Sequence, residues 1–234
     1  MQLFVFQKGF NYSQDGPGNR LVYHLSGCSL CCPWCSNPEG KRHCSGSACS
    51  VQELVTEACS ARPMFFDGGG VTLTGGEVTE QFSAVKELLT ALKEQSIHTC
   101  IETNGVSSRL LELSPLVDHL IMDVKHPDDE VHRRVIGVSN APVLANLDGL
   151  RDRRLAVRIP LIGGFNDTCA EEFAALLQGR NITVEVLRYH EYGKDKYAAL
   201  GLTYPMDQRA YISEETYHSF TETLRTRGIR VIHT

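Results

Sequence analysis

The chain alternates short apolar runs with segments whose apolar residues recur every three or four positions. The short runs are rich in β-branched residues and therefore predict strands. They are Leu21–Leu25, Val71–Thr74, Ile97–Glu102, Leu120–Val124, Leu155–Ile162, Thr183–Leu187 and Ile229–Ile232. Because most of them are continuously apolar, we expect a sheet that helices cover on both faces.

Helices are predicted between these strands by their start signals. Ser50 followed by Glu53, and Thr168 followed by Glu171, have the spacing of a capping box. Pro142 suits the first turn of another helix. The apolar faces that follow are Val51, Leu54, Val55 and Ala58; Val85, Leu88, Leu89 and Leu92; Val143, Leu144, Leu147 and Leu150; and Phe173, Leu176 and Leu177.

Six or seven such alternations predict the α/β class, with parallel strands joined by helical crossovers. The count is too low for a closed eight-unit barrel of about 250 residues. A partial (β/α)6 TIM-like barrel and a doubly wound sheet are the two arrangements that fit. No repeat or linker divides the sequence, so we expect a single domain over residues 1–234, with a C-terminal helix and strand at 206–234.

Composition narrows the classes of function. The net charge of −5 gives no basic footprint for nucleic acid. No apolar run approaches the ~20 residues of a membrane span. The first ten residues, MQLFVFQKGF, lack the basic and apolar regions of a signal peptide. We therefore expect a cytoplasmic protein, a monomer that binds neither nucleic acid nor membrane.

The nine cysteines are unevenly placed, and four of them lie in the segment Cys28–Cys35. This segment follows the first predicted strand, and α/β folds carry their chemistry at the carboxyl ends of strands. Cys28, Cys32 and Cys35 have the spacing C-x3-C-x2-C. Three thiolates on one loop suit an iron–sulfur cube with one iron left unligated by protein.

Two other interpretations of the cysteines remain open at this level. A zinc site would need four ligands in two separated pairs, and Cys44 and Cys49 do not have the usual spacing of a second pair. The cysteines would in that case form a zinc-binding module without enzymatic activity. Buried structural thiols are the other alternative, although so dense a group beside Pro33 and Trp34 is unusual.

Further motifs accompany the cysteine loop along the chain. With the pattern C-x3-C-x-aromatic-C, they make the sequence resemble the radical S-adenosylmethionine (SAM) enzymes, and within these the glycyl-radical-enzyme activating enzymes. The resemblance runs from about Gly9 to Gly201. Its motifs are Asp15–Arg20 (DGPGNR), Gly27–Gly40 (GCSLCCPWCSNPEG), Gly68–Glu77 (GGGVTLTGGE), Asp123–His126 (DVKH), Arg158–Asp167 (RIPLIGGFND) and Tyr189–Lys194 (YHEYGK).

The resemblance implies a reaction and its cofactors. Cys28, Cys32 and Cys35, in a cluster loop at 27–39, would hold one 4Fe-4S cluster whose open iron binds SAM. Reductive cleavage of SAM would give a 5′-deoxyadenosyl radical, which takes a hydrogen atom from a glycine of a partner glycyl radical enzyme. The electron would come from a low-potential donor such as flavodoxin or ferredoxin.

The resemblance also implies the remaining site residues. Asp15 and Asn37 would face the partner enzyme. A monovalent cation is expected near Glu102, Thr103 and Asp123, although Glu102 stands where the family has aspartate. The residues expected to bind the cofactors are Trp34, Ser36, Gly75, Gly76, Glu77, Glu102, Thr103, Asp123, Val124, Lys125, Arg158 and His190.

The other cysteines are expected to have packing roles. Cys31 would be a small packed residue, and Cys59, Cys100 and Cys169 would belong to apolar faces. Many activating enzymes carry an insert with two further clusters, but the stretch between Cys35 and Gly75 lacks that cysteine pattern, so we expect one cluster. A radical SAM enzyme that acts on a small molecule, similar to the deazaguanine-ring synthases, is the alternative within the superfamily.

Overall fold

The fold, taken from a computed structural model, is described for residues 1–233. Strands and helices alternate along most of this stretch, as the sequence predicts. The strands are β1 (Gln2–Tyr12), β2 (Asn19–Leu25), β3 (Ser47–Ser50), β4 (Gly70–Gly75), β5 (Thr99–Thr103), β6 (His119–Asp123), β7 (Leu155–Leu161), β8 (Ile182–Arg188) and β9 (Arg230–Ile232).

The helices lie mainly between consecutive strands from β3 onward. None of those formed by residues 1–233 has both the length and the apolar character that crossing a membrane requires. The α-helices are α1 (Val51–Ser60), α2 (Phe82–Glu94), α3 (Leu110–Leu113), α4 (Asp129–Ile136), α5 (Ala141–Gly149), α6 (Ala170–Leu177), α7 (Lys194–Ala199) and α8 (Glu214–Thr226).

The strands hydrogen-bond in the order β3-β1-β2-β4-β5-β6-β7-β8-β9. The pairs β2–β4, β4–β5, β7–β8 and β8–β9 are parallel. All seven predicted strands are present, as β2 and β4 to β9, with bounds that differ by a few residues. The sheet is open, with β3 and β9 as its two edge strands, as expected of a partial barrel. The predicted α/β class is confirmed.

Two strands at one end of this order were not predicted. β1 pairs antiparallel with both β2 and β3. Only Leu3 and Val5 of β1 are buried, and the residues from Gln7 to Phe10 are exposed. β1 lies between β2 and the edge strand β3, and its buried residues are confined to its first half. The continuously buried pattern that identifies the inner strands therefore does not extend over it.

The described chain divides into two compact units. In the first unit, the apolar faces of α1 and α2 are buried at the predicted positions, among them Leu54 and Leu88. In the second unit, α6 and α8 bury Phe173 and Phe220, whose ring centroids are 5.7 Å apart. The first unit comprises Met1–Ser29, Glu39–Thr103 and Ser107–Ile121, and the second Leu30–Pro38, Asn104–Val106 and residues 122–233.

One of the two predicted capping boxes is confirmed and the other is wrong. The Ser50 hydroxyl accepts from the Glu53 amide at 3.2 Å, and the Glu53 carboxylate accepts from the Ser50 amide. At the other site α6 begins at Ala170, so Cys169 occupies the cap position and makes no side-chain cap bond. The Cys169 amide donates to the Asn166 carbonyl in the preceding turn at 3.1 Å, and this turn starts the helix one residue later than Thr168 would.

Arg20 is a fully buried cation in the first unit. Its guanidinium donates to the Thr72 hydroxyl at 2.6 Å and to the carbonyl oxygens of Val71, Pro17 and Gly68 at 2.8 to 3.3 Å. Burial lowers the pKa of Arg20 from its ordinary value. These donors tie the segment before β2 to the start of β4.

The same contacts fix the DGPG segment that precedes Arg20. The Thr72 hydroxyl donates to the Asp15 carbonyl oxygen at 2.7 Å. The Asn11 side-chain amide donates to the Asp15 carboxylate at 2.5 Å. Arg20 and Thr72 therefore support a polar loop whose carboxylate is already oriented.

Replacing Arg20 with methionine should lower the free energy of unfolding by about 3 kcal/mol or more. The reason is that several buried acceptors would lose their donor in a place that water does not reach. Urea denaturation measures the change. Arg154→Met is the matched control, since Arg154 is exposed and its replacement should cost no more than ~0.5 kcal/mol. Equal losses in the two variants would contradict a structural role for Arg20.

Candidate functional site

In the first unit, the segments that follow β2 and β4 are joined backbone to backbone. The Gly76 amide donates to the Leu25 carbonyl and the Glu77 amide donates to the Gly27 carbonyl, both at 2.7 Å. A side-chain carbon on Gly76 would lie 2.2 Å from the Gly27 oxygen. Gly75 has φ +112° and leaves no more room, since such a carbon would lie 2.5 Å from the Leu25 nitrogen. Only glycine permits this approach.

The backbone of Cys28 is held by the segment that follows the cluster loop. The Gly27 amide donates to the Gly40 carbonyl at 2.7 Å, and the Cys28 amide donates to the Lys41 carbonyl at 3.2 Å. The Cys28 side chain is half-buried. Its thiol is therefore carried by a backbone that is fixed on both sides, by segment 40–41 and by the glycines after β4.

Glu77 is buried and caps the start of the helical segment 78–94. Its Oε1 accepts from the Thr79 amide at 3.1 Å, from the Thr79 hydroxyl at 2.7 Å and from the Thr103 hydroxyl at 2.8 Å. The carboxylate thus links the segment after β4 to the end of β5. The predicted contact of Glu77 and Thr103 with a cofactor stays a prediction.

Glu102 lies beside Thr103 at the end of β5 and is oriented by the preceding strand. The Thr74 hydroxyl donates to the Glu102 carboxylate at 2.8 Å. The Thr103 hydroxyl donates its hydrogen to Glu77, and a hydroxyl oxygen is of the ligand type that hard cations prefer. The cation site that the sequence predicts from these residues and Asp123 stays a prediction.

In the second unit, Cys32 and Cys35 lie on one tight turn. The Cys35 amide donates to the Cys32 carbonyl at 3.2 Å, and both side chains are half-buried. A side-chain carbon on Gly193 would lie 2.2 Å from the Cys35 oxygen and 3.2 Å from the Ser36 Cα, so the YHEYGK motif packs on this turn. Burial, together with the thiols of Cys35 and Cys32, raises the pKa of Tyr197 to about 12.

Cys31 has a different environment from its neighbours. Its amide donates to the Ile136 carbonyl at 2.9 Å, and its Sγ lies 3.8 Å from the place where a side-chain carbon on Gly137 would stand. The Cys31 side chain is exposed, so the prediction of a packed residue is wrong. The reason is that it lies over the end of α4, at the surface, and not inside the unit. Cys59 and Cys169 are half-buried, and only Cys100 among these four is buried as predicted.

Trp34 belongs to an apolar cluster in the second unit. Its ring lies 4.8 Å from that of Phe165, and both pack against the buried residues Ile162, Tyr189 and Ala210. Trp34 therefore adds an apolar face beside the cysteine turn.

Phe165 contacts Trp34 and His126 contacts Phe165, so both are candidates for the site that the sequence analysis does not name. The His126 ring lies 4.9 Å from that of Phe165, and His126 is buried. The signal for them was present, because each lies within a motif that the sequence analysis quotes, DVKH and RIPLIGGFND.

Asp123, the last residue of β6, forms an ion pair with Lys125, which follows the strand. The Lys125 side chain is 8% exposed and that of Asp123 is 30% exposed. The Lys125 carbonyl accepts from the Asn166 side-chain amide at 2.9 Å, and the Val124 amide donates to the Arg158 carbonyl at 2.9 Å. The pair is thus sheltered and its backbone is fixed.

Arg158 and Glu185 form a second sheltered ion pair, with Nε 2.7 Å from Oε2. They lie opposite each other in the register of β7 and β8. Glu185 was not predicted because its position opposite Arg158 is set by strand pairing, which the sequence pattern does not show. The salt bridge to Glu185 holds the Arg158 guanidinium in one orientation.

His190 and Asn37 are each held by one neighbour in the second unit. The ring of Tyr192 stacks on that of His190 with centroids 4.0 Å apart. Burial lowers the pKa of His190, so the imidazole is neutral at pH 7. The Lys196 ammonium donates to the Asn37 side-chain oxygen at 2.9 Å.

The described residues contain no group of three or more imidazole, thiol and carboxylate side chains arranged to hold one metal ion. An iron–sulfur cluster is bound differently, with one thiolate on each protein-ligated iron.

Comparison with known proteins places these observations in a family. The profile of the Radical SAM superfamily matches residues 22–177. The chain is 32% identical over 229 residues to the pyruvate formate-lyase 1-activating enzyme of Escherichia coli (strain K12), and the match covers 93% of both chains. It is 30% identical to the choline trimethylamine-lyase activating enzyme of Oleidesulfovibrio alaskensis, with 91% of both chains covered.

Two solved structures have a fold similar to that of this chain. A radical SAM methyltransferase from Sphaerobacter thermophilus superposes with a TM-score of 0.66 at 20% identity, over 96% of this chain and 72% of that chain. A domain of pyruvate-formate lyase-activating enzyme from Bacteroides vulgatus ATCC 8482 superposes with a TM-score of 0.58 at 23% identity, over 70% of this chain and 98% of that chain.

Replacing Gly76 with alanine should displace the segment that carries Cys28. The added carbon would meet the Gly27 carbonyl, and we expect a loss of ~1–3 kcal/mol in the free energy of unfolding, as for other overpacked sites. We also expect less iron to be retained after anaerobic reconstitution. Urea denaturation and iron analysis measure the two effects.

Gly9→Ala is the matched control, because no atom lies within 4 Å of the carbon it adds. It should leave iron content unchanged. Wild-type stability and iron content in Gly76→Ala would show that the close approach of Gly76 to Gly27 is not required.

Proposed function

The chain belongs to the radical SAM superfamily and, within it, to the glycyl-radical-enzyme activating enzymes, and on this premise we propose that it installs a radical on a glycine of a partner glycyl radical enzyme. The observation that carries the proposal is the extent of the similarity. It is not confined to the superfamily profile at residues 22–177 but covers 93% of both chains in the comparison with the Escherichia coli activating enzyme.

The donor set on the cluster loop fits an iron–sulfur cluster. Cys28, Cys32 and Cys35 are half-buried, so their thiols are sheltered but reachable. Cysteine thiolates are the usual ligands of such clusters. We assign these three residues to one 4Fe-4S cluster whose fourth iron is left for SAM. When bound, this group supplies the one-electron reduction that cleaves SAM and yields a carbon radical able to take a hydrogen atom from glycine.

The Asp123–Lys125 pair suits the methionine part of SAM, which carries an ammonium and a carboxylate. A carboxylate and an ammonium on the protein offer the complementary charges, and charge-assisted hydrogen bonds of this kind are strong. The low exposure of Lys125 strengthens them by excluding water. We propose that the two residues, with the backbone at Gly75, Gly76 and Val124, orient this end of SAM.

Uncharged side chains of the protein suit the adenosyl part of SAM. Trp34 offers an apolar face beside Cys35 and Ser36, and His190 is a neutral imidazole covered by Tyr192. These groups can contact the adenine and ribose while they keep water away from a reactive carbon. Arg158, fixed by Glu185, is proposed to line the side from which the glycine approaches.

Asp15 and Asn37 are proposed to contact the partner enzyme. The Asp15 carboxylate is held by Asn11 and the Asn37 oxygen by Lys196, so each is oriented before a partner arrives. A low-potential electron carrier such as flavodoxin or ferredoxin is the second protein that the reaction needs.

A monovalent cation at Glu102, Thr103 and Asp123 is a further proposal. Hard cations prefer oxygen ligands of the kind that these residues carry. The bond from Thr74 orients the Glu102 carboxylate for such a role.

Replacing Cys32 with alanine should abolish cluster binding and SAM cleavage, because it removes one of only three protein ligands. Anaerobic iron and sulfide analysis should find about four of each per wild-type chain. Cys31→Ala is the matched control and should retain both, since Cys31 lies over the end of α4. Formation of 5′-deoxyadenosine by Cys32→Ala, or stoichiometric zinc in the wild type, would contradict the ligand assignment.

The proposed reaction is tested with reduced enzyme, SAM and the glycyl radical enzymes encoded in the same genome. The expected result is a glycyl radical doublet in electron paramagnetic resonance, formed together with 5′-deoxyadenosine. The doublet should disappear when the target glycine is replaced with alanine. If 5′-deoxyadenosine forms with a small molecule present and no protein in the panel yields the doublet, the enzyme is a small-molecule radical SAM enzyme.

A further inference from the structure

A group of basic side chains lies near the proposed ligand Cys28 in the first unit. Lys41, Arg42 and His43 follow one another directly, and Arg42 and His43 are exposed. His43 and Arg109 both line one open cavity of about 760 Å³. We call these four residues the basic surface.

The charge of the basic surface is poorly compensated, in a chain whose net charge is −5. His43 lies 3.7 Å from the Glu80 carboxylate. Within residues 1–233, no carboxylate lies at ion-pair distance from Lys41, Arg42 or Arg109. The guanidinium of Arg109 instead rests 4.6 Å above the ring of Phe82, which also lines the cavity. The surface therefore combines the charges of Lys41, Arg42 and Arg109 with the apolar ring of Phe82, and arginine and aromatic residues are enriched at protein interfaces.

The surface is connected directly to the proposed cluster ligand. The Cys28 amide donates to the carbonyl of Lys41 itself, and the Gly27 amide donates to the adjacent Gly40 carbonyl. A side-chain carbon on Gly27 would lie 2.7 Å from the His43 imidazole, so this ring packs on the same backbone. Electron transfer weakens steeply with distance, so a protein that delivers an electron to the cluster benefits from docking here.

We propose that the basic surface is the docking site of an acidic, low-potential one-electron carrier protein. The inference rests on the proposed function, which requires a reduced cluster. In the step, the carrier loses one electron and is oxidised, the cluster gains that electron and is reduced, and no bond forms or breaks. Positive charge at the site would steer the acidic carrier to the cluster and speed its association.

The test compares two reductants on the reconstituted enzyme. The double variant Lys41→Glu/Arg42→Glu is mixed with reduced flavodoxin, and bleaching of the cluster absorbance gives the rate of reduction. We expect the bimolecular rate to fall by roughly tenfold or more at low ionic strength, and the difference from wild type to shrink as salt is added. Affinity for flavodoxin, measured by calorimetry, should fall in parallel. Reduction by dithionite, which needs no docking site, should proceed at the wild-type rate.

The control is Arg154→Glu/Arg230→Glu, which changes the net charge equally at two exposed arginines outside the cysteine loop and the segments bonded to it. Both reductants should reduce the cluster of this variant at the wild-type rate. Equal rates with flavodoxin in all three proteins would overturn the proposal. Weaker activation of the glycyl radical enzyme with dithionite as reductant would also overturn it, since the surface would then bind the partner enzyme. A wild-type enzyme that dithionite reduces but that cleaves no SAM would instead defeat the proposed function.

Discussion

The backbone contact between the segments after β2 and β4 is the constraint on which the first unit depends. Gly76 and Glu77 donate to Leu25 and Gly27 at distances that leave no space for a side chain at Gly76. The parallel pairing of β2 and β4 brings Leu25 opposite Gly75, and the chain then continues into these two bonds. The cysteine loop therefore begins from a fixed backbone, and the glycines keep their amide groups close to it.

Polar groups at the strand ends are held by bonds within their own unit. Glu77 accepts from two threonine hydroxyls, Arg158 is paired with Glu185, and Lys125 is paired with Asp123. Buried charges are costly unless they are paired and hydrogen-bonded. The pairs satisfy this requirement and fix the orientation of each group in advance, which is what binding a charged cofactor in one pose requires.

The sequence predicts the inner strands and the cysteine loop well, because both are local signals. Continuous apolar runs locate β2 and β4 to β9, and spacing identifies Cys28, Cys32 and Cys35. Features that depend on pairing or on surroundings are not predicted. β1 has few buried residues, Glu185 acquires its role from the register of β7 and β8, and Cys31 is exposed because of where α4 ends.

The short connection between the cysteine loop and α1 is held in place by the pairing of β3 with β1. β3 pairs with β1, with Ser47 opposite Val5, and the Ser45 hydroxyl donates to the Glu39 carbonyl at 2.9 Å. These bonds hold both ends of the segment that carries Lys41 to His43. Because the segment is short and anchored, the backbone of Lys41 stays hydrogen-bonded to that of Cys28. β1, which the apolar pattern missed, therefore acts beyond the sheet, because its pairing with β3 fixes one end of the segment that is hydrogen-bonded to Cys28.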